Sequence, residues 1–289
     1  MKRGSLPFLI ILLLVSVAAG APLAPELREA SARYLKSLEN PDGGFRATAT
    51  AGGSELKSMT PAVRAIHYFG GKVANEPRVV KFVQDLYDPA TGSFHEPGAP
   101  PDVRSAAMGL MTLAELKQPL GEQGPAIVRY FDQNAKAIPE IYIAEAALYA
   151  AGLQPLHPQA WLAAFESTRN ADGSYGKTAA DTARAVVTHL RLNTQPSDLP
   201  GALKALRAAQ IADGAFGTTG SSSDLETSYP VMRAFFMLKE KPDLARVRAF
   251  VDRCRNTDGG YGVRPGQPSA VTSTYYASIV LHWITEMEK

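Results

Sequence analysis

A turn motif recurs along this chain at a spacing of roughly forty residues, and it constrains the fold more than any other feature. It reads "LENPDGGFRA" at 38 to 47, "TRNADGSYGK" at 168 to 177, "QIADGAFGTT" at 210 to 219 and "CRNTDGGYGV" at 254 to 263, with a worn copy, "ATGSFHEPGA", at 90 to 99. Such a recurrence is either one site copied several times or one turn that a repeated architecture needs several times. The segments between the motifs decide for the turn. Those that follow it, among them "ELKSMTPAVRAIHYF", "DVRSAAMGLMTLAEL", "DTARAVVTHLRL" and "DLETSYPVMRAFFML", are Ala-rich and apolar nearly all round, as helices buried on most sides are. Those that precede it, such as "PELREASARYLKSL", "EPRVVKFVQDLY" and "PDLARVRAFVDRC", are shorter and carry charge on one face, and most have Pro near the start.

Six outer and six inner helices therefore alternate. The third link, between Asn134 and Glu140, lacks the glycines but keeps the spacing. Six hairpins with apolar inner helices close most simply into an all-α (α/α)6 toroid. An open solenoid would need polar faces on its end units, and neither terminal unit has one. In this fold each Asp-Gly-aromatic turn joins an outer helix to the next inner one. Glycine supplies positive φ, Asp bonds nearby backbone amides, and the aromatic plugs the seam between units. Mainly helix and essentially no sheet is expected.

Lys2 and Arg3, the apolar run from Leu6 to Val17 and the small residues of "SVAAGAPLAP" have the layout of a secretory signal peptide. The sequence thus divides into a leader, 1–21, and one domain, 22–289, in a secreted or periplasmic protein. A formal net charge of +2 without a basic stripe excludes a nucleic-acid partner. Cys254 is the only cysteine, so no internal disulfide forms. Its place in the repeat, four residues before the motif Asp, marks a small buried thiol rather than a nucleophile.

The repeats "QIADGAFG" and "CRNTDGGYG", with the inner-helix starts "DVRSAAMGL" and "TSTYYASIVL", resemble those of the prenyltransferase and squalene-cyclase superfamily, most closely the protein prenyltransferase β subunits. The resemblance covers residues 22–289. It implies an α/α barrel, a zinc held by a D-x-C motif and a His, an isoprenoid diphosphate substrate, and an α-helical-repeat partner subunit. On that pattern Asp224 is retained, Glu226 stands in the Cys position and Ser273 or a neighbour in the His position, a poor tetrahedral set for zinc. The family's diphosphate-binding Arg and Lys correspond to Thr218 and Ser221, which leaves a departing diphosphate without its electrostatic partner. The cyclase branch's D-x-D-D acid is absent. No cofactor is therefore expected.

Two further patterns fall short of a site. "PLGEQGP" has Leu120 where a thioester needs Cys. The carboxylates Glu55, Asp102, Glu140, Glu145, Asp181, Asp224 and Glu226 offer glycosidase-like pairs, but Ser223 with Glu226 reads as a capping box and Asp102 and Asp181 as N-caps. The five histidines do not cluster in sequence, and His95 in the second turn is poorly placed to join Asp224 and Glu226. Ligand binding is expected where the N-termini of the inner helices converge. There Asp102, Arg104, Asp181, Arg184, Asp224, Glu226, Tyr229 and Tyr276 offer mixed charge and aromatic walls over an apolar cavity. The function this implies is binding of an apolar or isoprenoid chain, or of a polypeptide segment, without zinc-dependent prenyl transfer. The alternatives are a rearranged isoprenoid transferase or cyclase and a carbohydrate-active barrel.

Overall fold

The computed structural model describes residues 23–217 and 222–289; the expected leader at 1–21, Thr218 and Ser221 lie outside these. Among the described residues there are twelve helices. The outer ones are α1 (Pro25–Ser37), α3 (Glu76–Asp85), α5 (Gln123–Asn134), α7 (Pro158–Glu166), α9 (Leu199–Ala208) and α11 (Leu244–Arg253). The inner ones are α2 (Leu56–Tyr68), α4 (Val103–Glu115), α6 (Ile138–Ala150), α8 (Ala179–Arg191), α10 (Leu225–Leu238) and α12 (Val271–Glu288). Each inner helix packs on two others in sequence, and α12 packs back on α2, so the ring is closed. Each inner helix is followed by an outer one that returns the chain, so all six inner helices run in one direction. Their N-termini form one rim and their C-terminal halves the opposite floor.

The structure adds one strand pair to the all-helical expectation: β1 (Tyr87–Asp88) and β2 (Ser93–Phe94), antiparallel across the worn turn. The other turns shrink this to single bridges, Glu39 to Phe45, Arg169 to Tyr175, Gln210 to Phe216 and Arg255 to Tyr261. In each full copy the Asp folds the turn. Asp42 accepts from Gly44 N (2.9 Å), Asp172 from Ser174 N (3.0 Å) and Asp258 from Gly260 N (2.9 Å). Asp213 accepts from Ser223 N (2.7 Å) and from the Ser223 hydroxyl. The aromatics Phe45, Phe94, Tyr175, Phe216 and Tyr261 are sealed between units.

The turn glycine has a second purpose. Gly259 (φ +91° at its counterpart Gly43, +89° here) lies against the backbone of Ala30 and Ser31 in α1, and the Ser31 hydroxyl donates to the Gly259 carbonyl (2.7 Å). The last turn thereby locks onto the first outer helix. Gly43 meets the Arg78 backbone of α3 and Gly214 the Arg246 backbone of α11 in the same way, and Gly173 meets Asp198 and Gly201 at the start of α9. Each full copy thus leaves no room for Cβ against the next unit, whereas at Gly92 of the worn copy the nearest atom, of Ala126, is 3.2 Å away. Cys254 caps α11 with no exposed surface, and burial pushes its thiol up to about 12.

Candidate functional site

The ring encloses a cavity of about 370 Å³ that opens at the rim. Of the eight residues expected to form the site, five line it: Arg104, Arg184, Glu226, Tyr229 and Tyr276. The three aspartates do not, because each is committed to the start of its helix. Asp102 caps α4, accepting from Ser105 N (2.8 Å) and the Ser105 hydroxyl (2.7 Å), and lies 3.4 Å from Lys57. Burial raises its pKa, but the Ser105 bonds and Lys57 together hold it below the usual value. Asp181 is not the N-cap but the third residue of a capping box: Thr178 caps α8, and Asp181 accepts from Thr178 N (3.1 Å) and pairs with Arg184 (3.0 Å). Asp224 caps α10 through Thr227 N (2.6 Å) and pairs with Arg264 (3.3 Å). The expected Ser223–Glu226 box does not form, since Ser223 turns to Asp213 and Glu226 faces the cavity.

The floor was not foreseen. Arg64, Arg191 and Arg233 reach the cavity from α2, α8 and α10, with Tyr142 and Tyr275 between them and Met108, Met111 and Ile143 on the walls. Two of the cations are neutralised. Arg64 pairs with Glu115 (3.1 Å), which also meets His67 (2.9 Å), and Arg191 pairs with Glu145 (2.8 Å), both side chains at most 3% exposed. Burial pushes the Glu145 carboxyl up despite Arg191.

Arg233 pairs with no carboxylate among the described residues. It donates to the Tyr229 hydroxyl (2.6 Å), and its guanidinium lies over the Tyr229 and Trp283 rings at 4.9 and 5.0 Å. Tyr229 stacks on Tyr276 (4.6 Å), and its hydroxyl is 3.2 Å from that of Tyr275. Burial would raise the Tyr229 phenol, but Arg233, the Tyr275 bond and Arg64 outweigh it and hold the phenol below the usual tyrosine value. Burial instead raises Tyr275 and Tyr276.

The floor thus carries three guanidiniums against Glu115 and Glu145, an excess of one positive charge. The rim sets Lys57, Arg104 and Arg184 against Asp102, Asp181, Glu140 and Glu226. Arg104 is the second residue of α4 and Arg233 the ninth of α10, which puts the tiers roughly 10 Å apart along the axis. The sequence held a signal for the floor: "TPAVR" in α2 and "YPVMR" in α10 repeat Pro-x-x-Arg in register, placing Arg64 and Arg233 at matching depth.

The zinc positions do not fit the metal. The Ser273 hydroxyl donates to the Tyr261 carbonyl (2.6 Å), the Asp224 carboxylate is taken by Thr227 N and Arg264, and Glu226 is left alone facing the cavity. Among the described residues no three His, Cys, Asp or Glu side chains form a group that could hold a metal. His95, in the second turn, lies 3.4 Å from Asp88 rather than near Asp224. Thr218 and Ser221, at the family's diphosphate-binding positions, lie outside the described residues, but the ring presents other cations, the arginines of the floor, to its centre.

A closed ring of helical hairpins around a polar-floored cavity defines an α/α-toroid protein. The chain belongs to the prenyltransferase alpha-alpha toroid domain family, which matches residues 5–137 and 141–289. Its structure is similar to that of Candida albicans protein geranylgeranyltransferase-I complexed with GGPP, with a TM-score of 0.72 and 13% identity over 91% of this chain and 92% of that one. It is also similar to the type II terpene cyclase MstE from Scytonema (0.61, 12%, covering 91% and 97%) and to a wild-type glycosidase (0.58, 12%, covering 91% and 96%). At such identities the likeness is one of fold. No curated protein matches the sequence significantly.

Proposed function

We propose that the toroid binds, in its central cavity, an amphipathic molecule with an isoprenoid-like apolar chain and an acidic group, and that it does so without zinc-dependent prenyl transfer. The observation that supports this reading is the lining: tyrosine, methionine and isoleucine walls over a floor with an excess guanidinium. A few polar groups at one end of an apolar enclosure suit a ligand with one charged end. The neighbouring geranylgeranyltransferase-I holds GGPP, which is a ligand of that description. A carbohydrate-active reading needs two free carboxylates, whereas Asp102, Asp181 and Asp224 are committed to caps and Glu140 accepts from Lys136 N and Ala137 N. The leader pattern at 1–21 supports export to the periplasm or beyond.

Titration of purified protein with farnesyl diphosphate and with farnesol, each with and without a divalent metal, tests the proposal. Stoichiometric binding of the diphosphate without metal is expected. Failure of both ligands to bind, or turnover that requires zinc, would overturn it. Native mass spectrometry of protein from its own host reads co-purified lipid, metal and any helical-repeat partner subunit in one measurement.

A further inference from the structure

We propose that the cavity floor is an oxyanion site at which Arg233 takes the phosphate or carboxylate group of the ligand and Tyr229 gains a proton as that group arrives. The inference deepens the cavity reading above by assigning the acidic end to the floor rather than the rim.

Arg233 is the observation that demands an anion. A guanidinium carries five N–H donors and cannot shed its charge. This one is half buried, has no carboxylate beside it, and its Nε lacks any partner, as does the Nε of Arg191 across the floor. Its one strong hydrogen bond goes to the phenol of Tyr229. Tyr229 is therefore the residue that can serve as the counter-ion when the cavity is empty, because loss of its proton cancels the excess charge of the floor. An incoming oxyanion offers Arg233 a better partner, and two anions in contact are unfavourable, so the phenolate takes one proton from solvent. It then donates a hydrogen bond to the bound anion. One anion and one proton enter together; for a singly charged anion the net charge of the floor is unchanged, and a dianionic phosphate leaves it one unit more negative.

The groups around Tyr229 leave it the one that titrates. Arg64 on α2 and Arg191 on α8 favour its phenolate and stay charged. Tyr68 on α2, Tyr142 on α6, and Tyr275 and Tyr276 on α12 are all raised by burial and ionise later. Glu115 and Glu145 are held in their arginine pairs, and Glu226, a turn above on α10, belongs to the rim. Anion affinity should accordingly fall as pH rises through the Tyr229 value of the empty protein.

The test uses inorganic phosphate and decyl phosphate as probes, with calorimetry in two buffers of different ionisation heat and the tyrosinate band followed by absorbance. The wild type should show one phenol ionising below the normal tyrosine range, shifted upward by phosphate, with proton uptake approaching one per anion at alkaline pH. Tyr229→Phe removes the hydrogen bond to the anion, so it should weaken binding by about 2- to 10-fold while losing both the early ionisation and the uptake altogether. Arg233→Gln should weaken binding by about 10- to 100-fold, the loss expected for a charge-assisted contact. If Arg233→Gln does not fold, as judged by circular dichroism, the wild-type titration and Tyr229→Phe decide alone. Tighter binding of decyl phosphate identifies a lipid head group as the anion, and equal binding identifies a free oxyanion. Phosphate binding that leaves the tyrosinate titration unmoved would overturn the proposal, as would absence of binding by either probe. Farnesol binding in that last case would leave the cavity reading standing while the floor site fell.

Discussion

Replacing Gly259 by Ala tests whether the repeated turn exists to close the ring. Gly259 has φ +89°, and a Cβ there would overlap the Ala30 carbonyl and approach Ser31 N, both backbone atoms of α1. Gly266, seven residues further on, is the control: φ is +78°, but a Cβ would meet nothing within 4 Å. Both variants pay the left-handed strain of an L-residue, about 1–2 kcal/mol, and both gain the same reduction of unfolded-chain freedom. Only Gly259→Ala must also push a backbone away, which adds about 1–3 kcal/mol of overpacking. For a domain of this size that difference is a Tm lower by about 2–12 °C than in Gly266→Ala, at roughly 2–4 °C per kcal/mol. Thermal denaturation followed by circular dichroism reads it directly, and the calorimetric enthalpy shows whether the ring still unfolds in one step. Equal Tm values for the two variants would refute the claim that the glycine is there for contact between the last and first units.

Arg191→Met should cost about 3–5 kcal/mol in urea denaturation because it strands Glu145 in the core, and adding Glu145→Leu should restore most of it. Burial holds His189 below its ordinary value, so the unfolded chain binds the proton more readily. The stability this provides is full above the unfolded value of about 6.5 and is lost as pH falls below it; His189→Gln should flatten the melting profile between about pH 7 and 5. Arg104→Ala removes an exposed side chain that has no ion-pair partner among the described residues and should change stability by no more than about 0.5 kcal/mol. Marked destabilisation with full ligand retention would take Arg104 out of the rim's binding groups. Elemental analysis should find no stoichiometric zinc; about one zinc per chain, lost on Asp224→Ala, would reverse the assignment of Asp224 as a cap.

The ring was legible because its signals are local. An Asp that bonds an amide two residues on, a glycine at positive φ and an aromatic at fixed spacing are properties of one turn, visible each time the turn recurs. Caps were half legible. Asp102 caps its helix as expected, but nothing along the chain shows that Ser223 would be drawn to Asp213, ten residues back, and leave the cap of α10 to Asp224, or that Thr178 would take the cap position from Asp181. The floor was hidden for a different reason. A single Arg in an Ala-rich helix looks like an outward-facing charge, and its inward direction follows only once six helices surround one axis. Two of the arginines bring their own carboxylates from the neighbouring helix, Glu115 for Arg64 and Glu145 for Arg191, and such pairs are invisible along one chain segment.

The repeat and the cavity divide the work of the sequence between them. Positions that every unit shares serve closure, and they recur because six seams pose the same packing problem. Positions that only one or two units carry have no seam to explain them: Arg233 and Arg64 follow the helix-internal prolines Pro230 and Pro61, and in the corresponding stretch of α4 the chain has Met111. An arginine at the centre of an apolar ring is costly unless it is paired, and Arg64 and Arg191 meet that condition with carboxylates. Arg233 meets it with a tyrosine, a weaker acid than the Glu115 and Glu145 carboxylates and the easiest partner for an incoming anion to displace. The departure from the repeat, rather than the repeat, is where a ligand has something to bind.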